Sequence, residues 1–81
     1  MFSLEIFKTE KELAKLTGLS IDDLQDNGFD LDDWDYGICI NTKDVKRFEK
    51  DRFFISSISN YGCGYEKVSF PNKTFYLLYH A

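Results

Sequence analysis

Residues 16–41 contain seven aspartates (Asp22, Asp23, Asp26, Asp30, Asp32, Asp33 and Asp35) and no lysine or arginine. Carboxylates at this density can cap helix amides, gather a hard cation, or meet a basic surface on another molecule. The stretch holds −7 and the rest of the chain +3, which gives the formal −4. A field of one sign concentrated in this way selects partners of the other sign.

Part of the acid load has a local use. Leu19-Ser-Ile-Asp-Asp-Leu24 and Phe29-Asp-Leu-Asp-Asp-Trp34 share one pattern: apolar, cap, apolar, Asp, Asp, apolar. Ser20 and Asp30 suit N-caps, Asp23 and Asp33 follow at the capping-box distance, and Leu19/Leu24 and Phe29/Trp34 hold hydrophobic-staple positions. The spacing predicts two short helices, 21–27 and 31–35, separated by a stop at Asn27-Gly28. Helix starts would account for Asp22, Asp23, Asp30, Asp32 and Asp33. They account for neither Asp26 and Asp35 nor the absence of lysine. The expectation is an acidic binding face built from all seven aspartates, with Trp34 as its aromatic anchor. The staple would instead bury Trp34 against Phe29.

Cation chemistry fits less well. A calcium loop of the EF-hand type needs Asp or Asn at its third and fifth positions, Gly at the sixth and Glu at the twelfth. Counting from Asp30 puts Trp34 fifth; counting from Asp33 puts Gly37 fifth and Asp44 twelfth. No register forms. Two cysteines and one histidine, His80, fall short of a zinc set. Gly62 and Gly64 lack the Lys-Ser/Thr of a phosphate loop. No motif implies an enzyme, a cofactor or a metal.

Residues 12–24 resemble the core of a helix-turn-helix, with Ala14 in the tight packing slot, Gly18 in the turn and Leu24 packing back. The resemblance implies a helical hairpin of the kind that reads DNA. The second helix would present Asp22, Asp23, Gln25 and Asp26, which repel phosphate where DNA readers carry Arg, Lys, Asn or Gln. The hairpin is therefore expected to face protein, and nucleic acid is not expected as a partner.

These residues need a scaffold, and 81 residues with 17% aromatics allow one core in a single domain, 1–81. Phe2, Leu4 and Ile6 alternate with Ser3, Glu5 and Phe7, the period of a half-buried strand. Thr9 and Glu12 form a capping box for a helix bearing Leu13, Ala14 and Leu16, which Gly18 ends. Residues 36–40 read as a central strand, apolar on both faces. A helix over 42–52 turns Val45 and Phe48 inward and Lys43, Lys46, Arg47, Glu49, Lys50 and Arg52 outward, with Glu49 in reach of Lys46. Residues 53–58 have β-propensity. Tyr61-Gly-Cys-Gly-Tyr65 marks a turn or bulge, and 65–70 with 74–80 form a hairpin turning at Pro71-Asn72-Lys73. The fold expected is α+β: a mainly antiparallel sheet of four or five strands with two or three short helices packed on one face.

No apolar run reaches the ~20 residues of a membrane span, and the first residues lack a basic leader. A cytoplasmic setting, bacterial or phage-infected, and reduced Cys39 and Cys63 follow as expectations. Lys, Asn, Phe, Tyr and Ile, all with AT-rich codons, make up 31 of 81 residues, a usage of AT-rich bacterial or phage genomes. The function expected is an acidic protein-binding domain that docks on a basic surface, an inhibitor of a nucleic-acid-handling protein acting as a DNA mimic. Two alternatives stand beside it: a transcriptional regulator derived from a helix-turn-helix that contacts DNA through the basic helix 43–52, and a structural module that self-associates through the edge of the C-terminal hairpin. The oligomeric state is left open.

Overall fold

Apolar side chains at successive positions of a strand must be covered on both sides of the sheet, and this chain has two such strands. Ile38, Cys39 and Ile40 are buried in one, and Phe75 to Leu78 in the other. The computed structural model describes residues 3–80, with side chains throughout except at 60–63 and 80. In chain order the elements are β1 (Leu4–Phe7), α1 (Glu10–Thr17), α2 (Ile21–Asp26), β2 (Trp34–Asn41), a 3-10 turn (Thr42–Asp44), α3 (Val45–Phe48), α4 (Arg52–Tyr61), β3 (Gly62–Ser69) and β4 (Lys73–His80). The four strands form an antiparallel sheet in the order β1-β2-β4-β3. This is the α+β fold expected.

The helices lie on both faces instead of one. Leu13 of α1 and Leu24 of α2 join Phe7, Phe29, Leu31, Cys39, Val68, Phe75 and Leu77 in one core. Phe48 of α3 and Phe54 of α4 join Ile38, Ile40, Tyr76 and Leu78 in a second. From Tyr36 onward, odd positions of β2 and β4 feed the first core and even positions the second, so a single helical layer would leave half of these side chains in water.

Local signals explain most boundaries. The Thr9 hydroxyl accepts the Glu12 amide at 3.1 Å, while the Glu12 carboxylate accepts from the Lys8 amide at 3.4 Å and the Thr9 hydroxyl at 3.2 Å. Gly18, at φ 74°, closes α1 by donating its N–H to the Ala14 carbonyl at 2.8 Å. At the far end of the sheet, the Thr42 hydroxyl donates to the Phe70 carbonyl at 2.7 Å and lies 3.0 Å from the Thr74 hydroxyl. The hairpin turns between Ser69 and Lys73, with the Phe70 amide bonded to the Lys73 carbonyl at 2.8 Å.

Besides the segment 31–35, three elements depart from expectation. Residues 53–58 are helical, not extended: the Asp51 carboxylate caps the Phe53 amide at 2.8 Å. Phe54, Ser57 and Ile58 then recur at helical spacing toward the sheet, and the Phe54 ring centroid lies 5.2 Å from those of Phe48 and Tyr76. Packing of that aromatic trio overrides β-propensity. The helix expected over 42–52 is broken into the 3-10 turn and α3, and α4 starts afresh at Arg52, while Phe48 turns inward as expected. Glu49, expected beside Lys46, turns to the sheet and pairs with Lys67 Nζ at 2.8 Å. In β1 the deeply buried residue is Phe7, while Ile6 stays 47% exposed. Phe2 lies outside the described residues.

Phe7 is held by its partner across the strands. It pairs with Gly37, and its ring occupies the space where a Cβ on Gly37 would stand.

Candidate functional site

Ser20 caps α2 as the spacing predicts, its hydroxyl accepting the Asp23 amide at 3.2 Å. Asp22, Asp23 and Asp26 then line the solvent side of α2 while Leu24 is buried. The second repeat does something else. No helix forms over 31–35, so the capping role assigned there to Asp30, Asp32 and Asp33 does not arise. The Asp30 carboxylate accepts the amide of Asp32, two residues on, at 3.1 Å, and so builds a tight loop. Asp33 takes φ 60°, a left-handed conformation that ends any helix but that Asp tolerates. Phe29 and Leu31 are buried under this loop, and Trp34 opens β2.

Trp34 therefore does not staple to Phe29. Its ring is half-buried and lies against Phe7, with centroids 5.6 Å apart, while Phe29 packs on Phe75 and Phe70 at 5.6 and 6.0 Å.

All seven aspartates are exposed. Of their carboxylates, only that of Asp30 makes a hydrogen bond among the described residues. The two ion pairs among the described residues, Arg47–Asp44 at 3.1 Å and Lys67–Glu49 at 2.8 Å, lie outside the stretch. No group of three His, Cys, Asp or Glu side chains suited to a metal occurs among the described residues, so the carboxylates are spread along a surface.

The loop is fastened to the sheet by Tyr79. Its hydroxyl donates to the Asp30 backbone carbonyl at 2.6 Å. Burial, then the nearby charges of Asp30, Glu66 and Asp32, push the Tyr79 phenol up to about 12. Glu66 of β3 thus adds to the acid field beside Asp30 and Asp32, a residue the sequence reading missed because it lies far along the chain. Its position opposite Leu77 of β4 follows only from strand register.

Asp35 stands apart. Trp34 pairs with Tyr79 and Tyr36 with Leu78, which leaves Asp35 as the additional residue of a β-bulge. A second bulge, between Gly62 and Tyr65 of β3, faces the same end of β4, with Gly64 at φ 92°. Asp35 lines a groove with Ile6, Lys8, Tyr36 and Phe53, on the side of the sheet that carries α4. The structure therefore brings Asp30, Asp32 and Glu66 around Tyr79, sets Asp22, Asp23 and Asp26 on α2, and puts Asp35 in a separate groove.

Other titratable groups serve the scaffold. Glu49 accepts from Lys67 and, at 3.0 Å, from the Tyr76 hydroxyl; the Lys67 bond holds its carboxyl below the usual range, and burial with Glu49 nearby pushes Tyr76 up. Cys39 is a free, buried thiol, pushed up by burial; the Cys63 side chain lies outside the described residues. No helix among the described residues is long and apolar enough to cross a membrane.

Compared with protein-family models, with curated proteins and with solved structures, the chain matches none.

Proposed function

We propose that this chain is a small acidic protein-binding domain that docks its aspartate-bearing α2 and the following loop on a basic surface of a partner protein. One observation supports this most. Six exposed aspartates of the stretch, all but Asp30, hold carboxylates with no hydrogen bond or ion pair among the described residues. An unneutralised carboxylate on a fixed scaffold loses little freedom when it meets Lys or Arg, and its field speeds the encounter. The mechanism is occupancy. Carboxylates take the lysines and arginines that would otherwise hold phosphate, as an inhibitor of a nucleic-acid-handling protein would.

The reading is tested by affinity capture from lysate of the native host, comparing wild type with Asp22→Asn, Asp23→Asn, Asp32→Asn and Asp33→Asn combined. A partner recovered by the wild type and released by salt, but lost from the variant, supports it. Recovery of the same proteins by both overturns it.

A further inference from the structure

Ile6, Tyr36 and Phe53 come from β1, β2 and α4, and with Lys8 and Asp35 they line one open groove of about 360 Å³. Ile6 is 47% and Phe53 42% exposed, so large apolar side chains converge on this concavity without being covered. The bulge explains the arrangement. In an unbroken strand Trp34 and Tyr36 would share a face. With Asp35 as the additional residue, Trp34 joins the core under α1 and α2, whereas Tyr36 joins the core under α4. Bulges re-aim side chains in this manner next to functional sites.

The rim of the groove carries one charge of each sign. Neither the Asp35 carboxylate nor the Lys8 ammonium makes an ion pair among the described residues, although both line the same space. Asp35 also closes the stretch that holds −7. A cation approaching the groove is drawn to Asp35 and repelled by Lys8, so an apolar side chain and a neighbouring cation can enter in one order only. The groove is roomy enough to admit one large side chain together with part of the chain that carries it.

We propose that this groove seats one large apolar side chain of the partner's docking segment, with Asp35 holding the arginine beside it. Arginine fits best because its planar guanidinium grips a carboxylate with two bonds and stacks on an aromatic face such as that of the exposed Phe53. The proposal rests on the acidic docking reading and extends it, through Asp35 at the end of the acidic stretch, to the face of the sheet that carries α4. Buried apolar anchors ringed by polar contacts carry most of the affinity of such interfaces.

The test uses the full chain, isotope-labelled, titrated with three probes: acetyl-Ala-Phe-Arg-Ala-amide, its Phe-Glu counterpart and its Ala-Arg counterpart. The Phe-Arg probe is expected to shift the amide resonances of Ile6, Asp35, Tyr36 and Phe53 and to saturate in the millimolar range, as suits so small a contact. The Phe-Glu probe should bind more weakly, by up to about fivefold, through loss of one exposed ion pair. Asp35→Asn should abolish that preference, and Phe53→Ser should abolish binding of the Phe-Arg probe. Shifts that map elsewhere, equal binding of the Phe-Glu or Ala-Arg probe, or binding that survives Phe53→Ser each overturn the proposal. The combined Asn variant of Asp22, Asp23, Asp32 and Asp33 leaves the groove intact, so it should bind the Phe-Arg probe within about twofold. Loss there also counts against the groove. Failure of the docking reading shows only in lysate capture, so the two failures are distinguishable.

Discussion

Tyr79 and Asp30 are joined by a hydrogen bond of 2.6 Å from the phenol to the backbone carbonyl, which ties the acidic loop to β4. Tyr79→Phe removes this bond, leaves the carbonyl to water, and should cost about 0.5–1.5 kcal/mol in denaturant unfolding. The phenol's pKa rises from 10.0 to about 12 on folding, so its contribution is complete below pH 10 and is lost as pH climbs toward 12. A spectrophotometric titration of wild type against Tyr79→Phe checks this. A Tyr79 that titrates like a free tyrosine would remove the tether.

Phe7 on Gly37 gives the next expectation. A methyl group at residue 37 meets the Phe7 ring, which is buried and packed on the rings of Trp34 and Phe75, so one of them must shift. Gly37→Ala should therefore destabilise by about 1–3 kcal/mol, as overpacking does. Phe7→Leu combined with Gly37→Ala should recover part of that loss. A fully additive pair in thermal unfolding would contradict the contact.

The aspartates should be separable from stability. Asp22 and Asp23 favour the N-terminal end of α2, worth about 0.3–1 kcal/mol each, and crowding of like charge offsets this by similar amounts. The combined Asn variant should then unfold within about 1 kcal/mol of wild type while partner binding collapses. Ser20→Ala should show the converse, a loss of about 1 kcal/mol with binding retained. Matched unfolding and binding data decide it.

Glu49 sets the acid limb. Its bond from Lys67 holds its carboxyl below the usual carboxylate range, so the stabilisation is present above that range and is lost as pH falls through the folded value. Both partners are about one-third exposed, which keeps the effect at the scale of a surface pair, about 0.2–1 kcal/mol. Glu49→Gln should be less stable than wild type near neutral pH, and the two curves should converge in acid. A gap that persists in acid would assign the loss to packing around Tyr76.

Much of the fold was legible where a signal was local. The Thr9 and Ser20 caps, the Gly18 stop, the C-terminal hairpin and the two-sided apolar character of β2 each rest on residues within a few positions of one another. The same locality misled at 31–35. The repeat of the Ser20 pattern suggested a second helix, but Asp30 bonded its own loop and Asp33 turned left-handed, because Phe29 and Leu31 both had to reach the core. At 53–58 the residue types favoured a strand, and the rings of Phe48 and Tyr76, distant in sequence, decided for a helix. Candidate-site residues were legible as exposed acids. Their division between α2, the Tyr79 loop and the Asp35 groove depends on a bulge and on strand register, which no spacing along the chain encodes.

The sheet order has a consequence for assembly in time. β2 lies beside β4 only after the chain has run out through α3, α4 and β3 and returned, so the central pairing closes a long loop, whereas β3 and β4 meet across a short turn. The acidic loop borrows its shape from Tyr79, near the end of that last strand. A nascent or clipped product lacking β4 would carry every aspartate of the stretch and still have no fixed surface to offer.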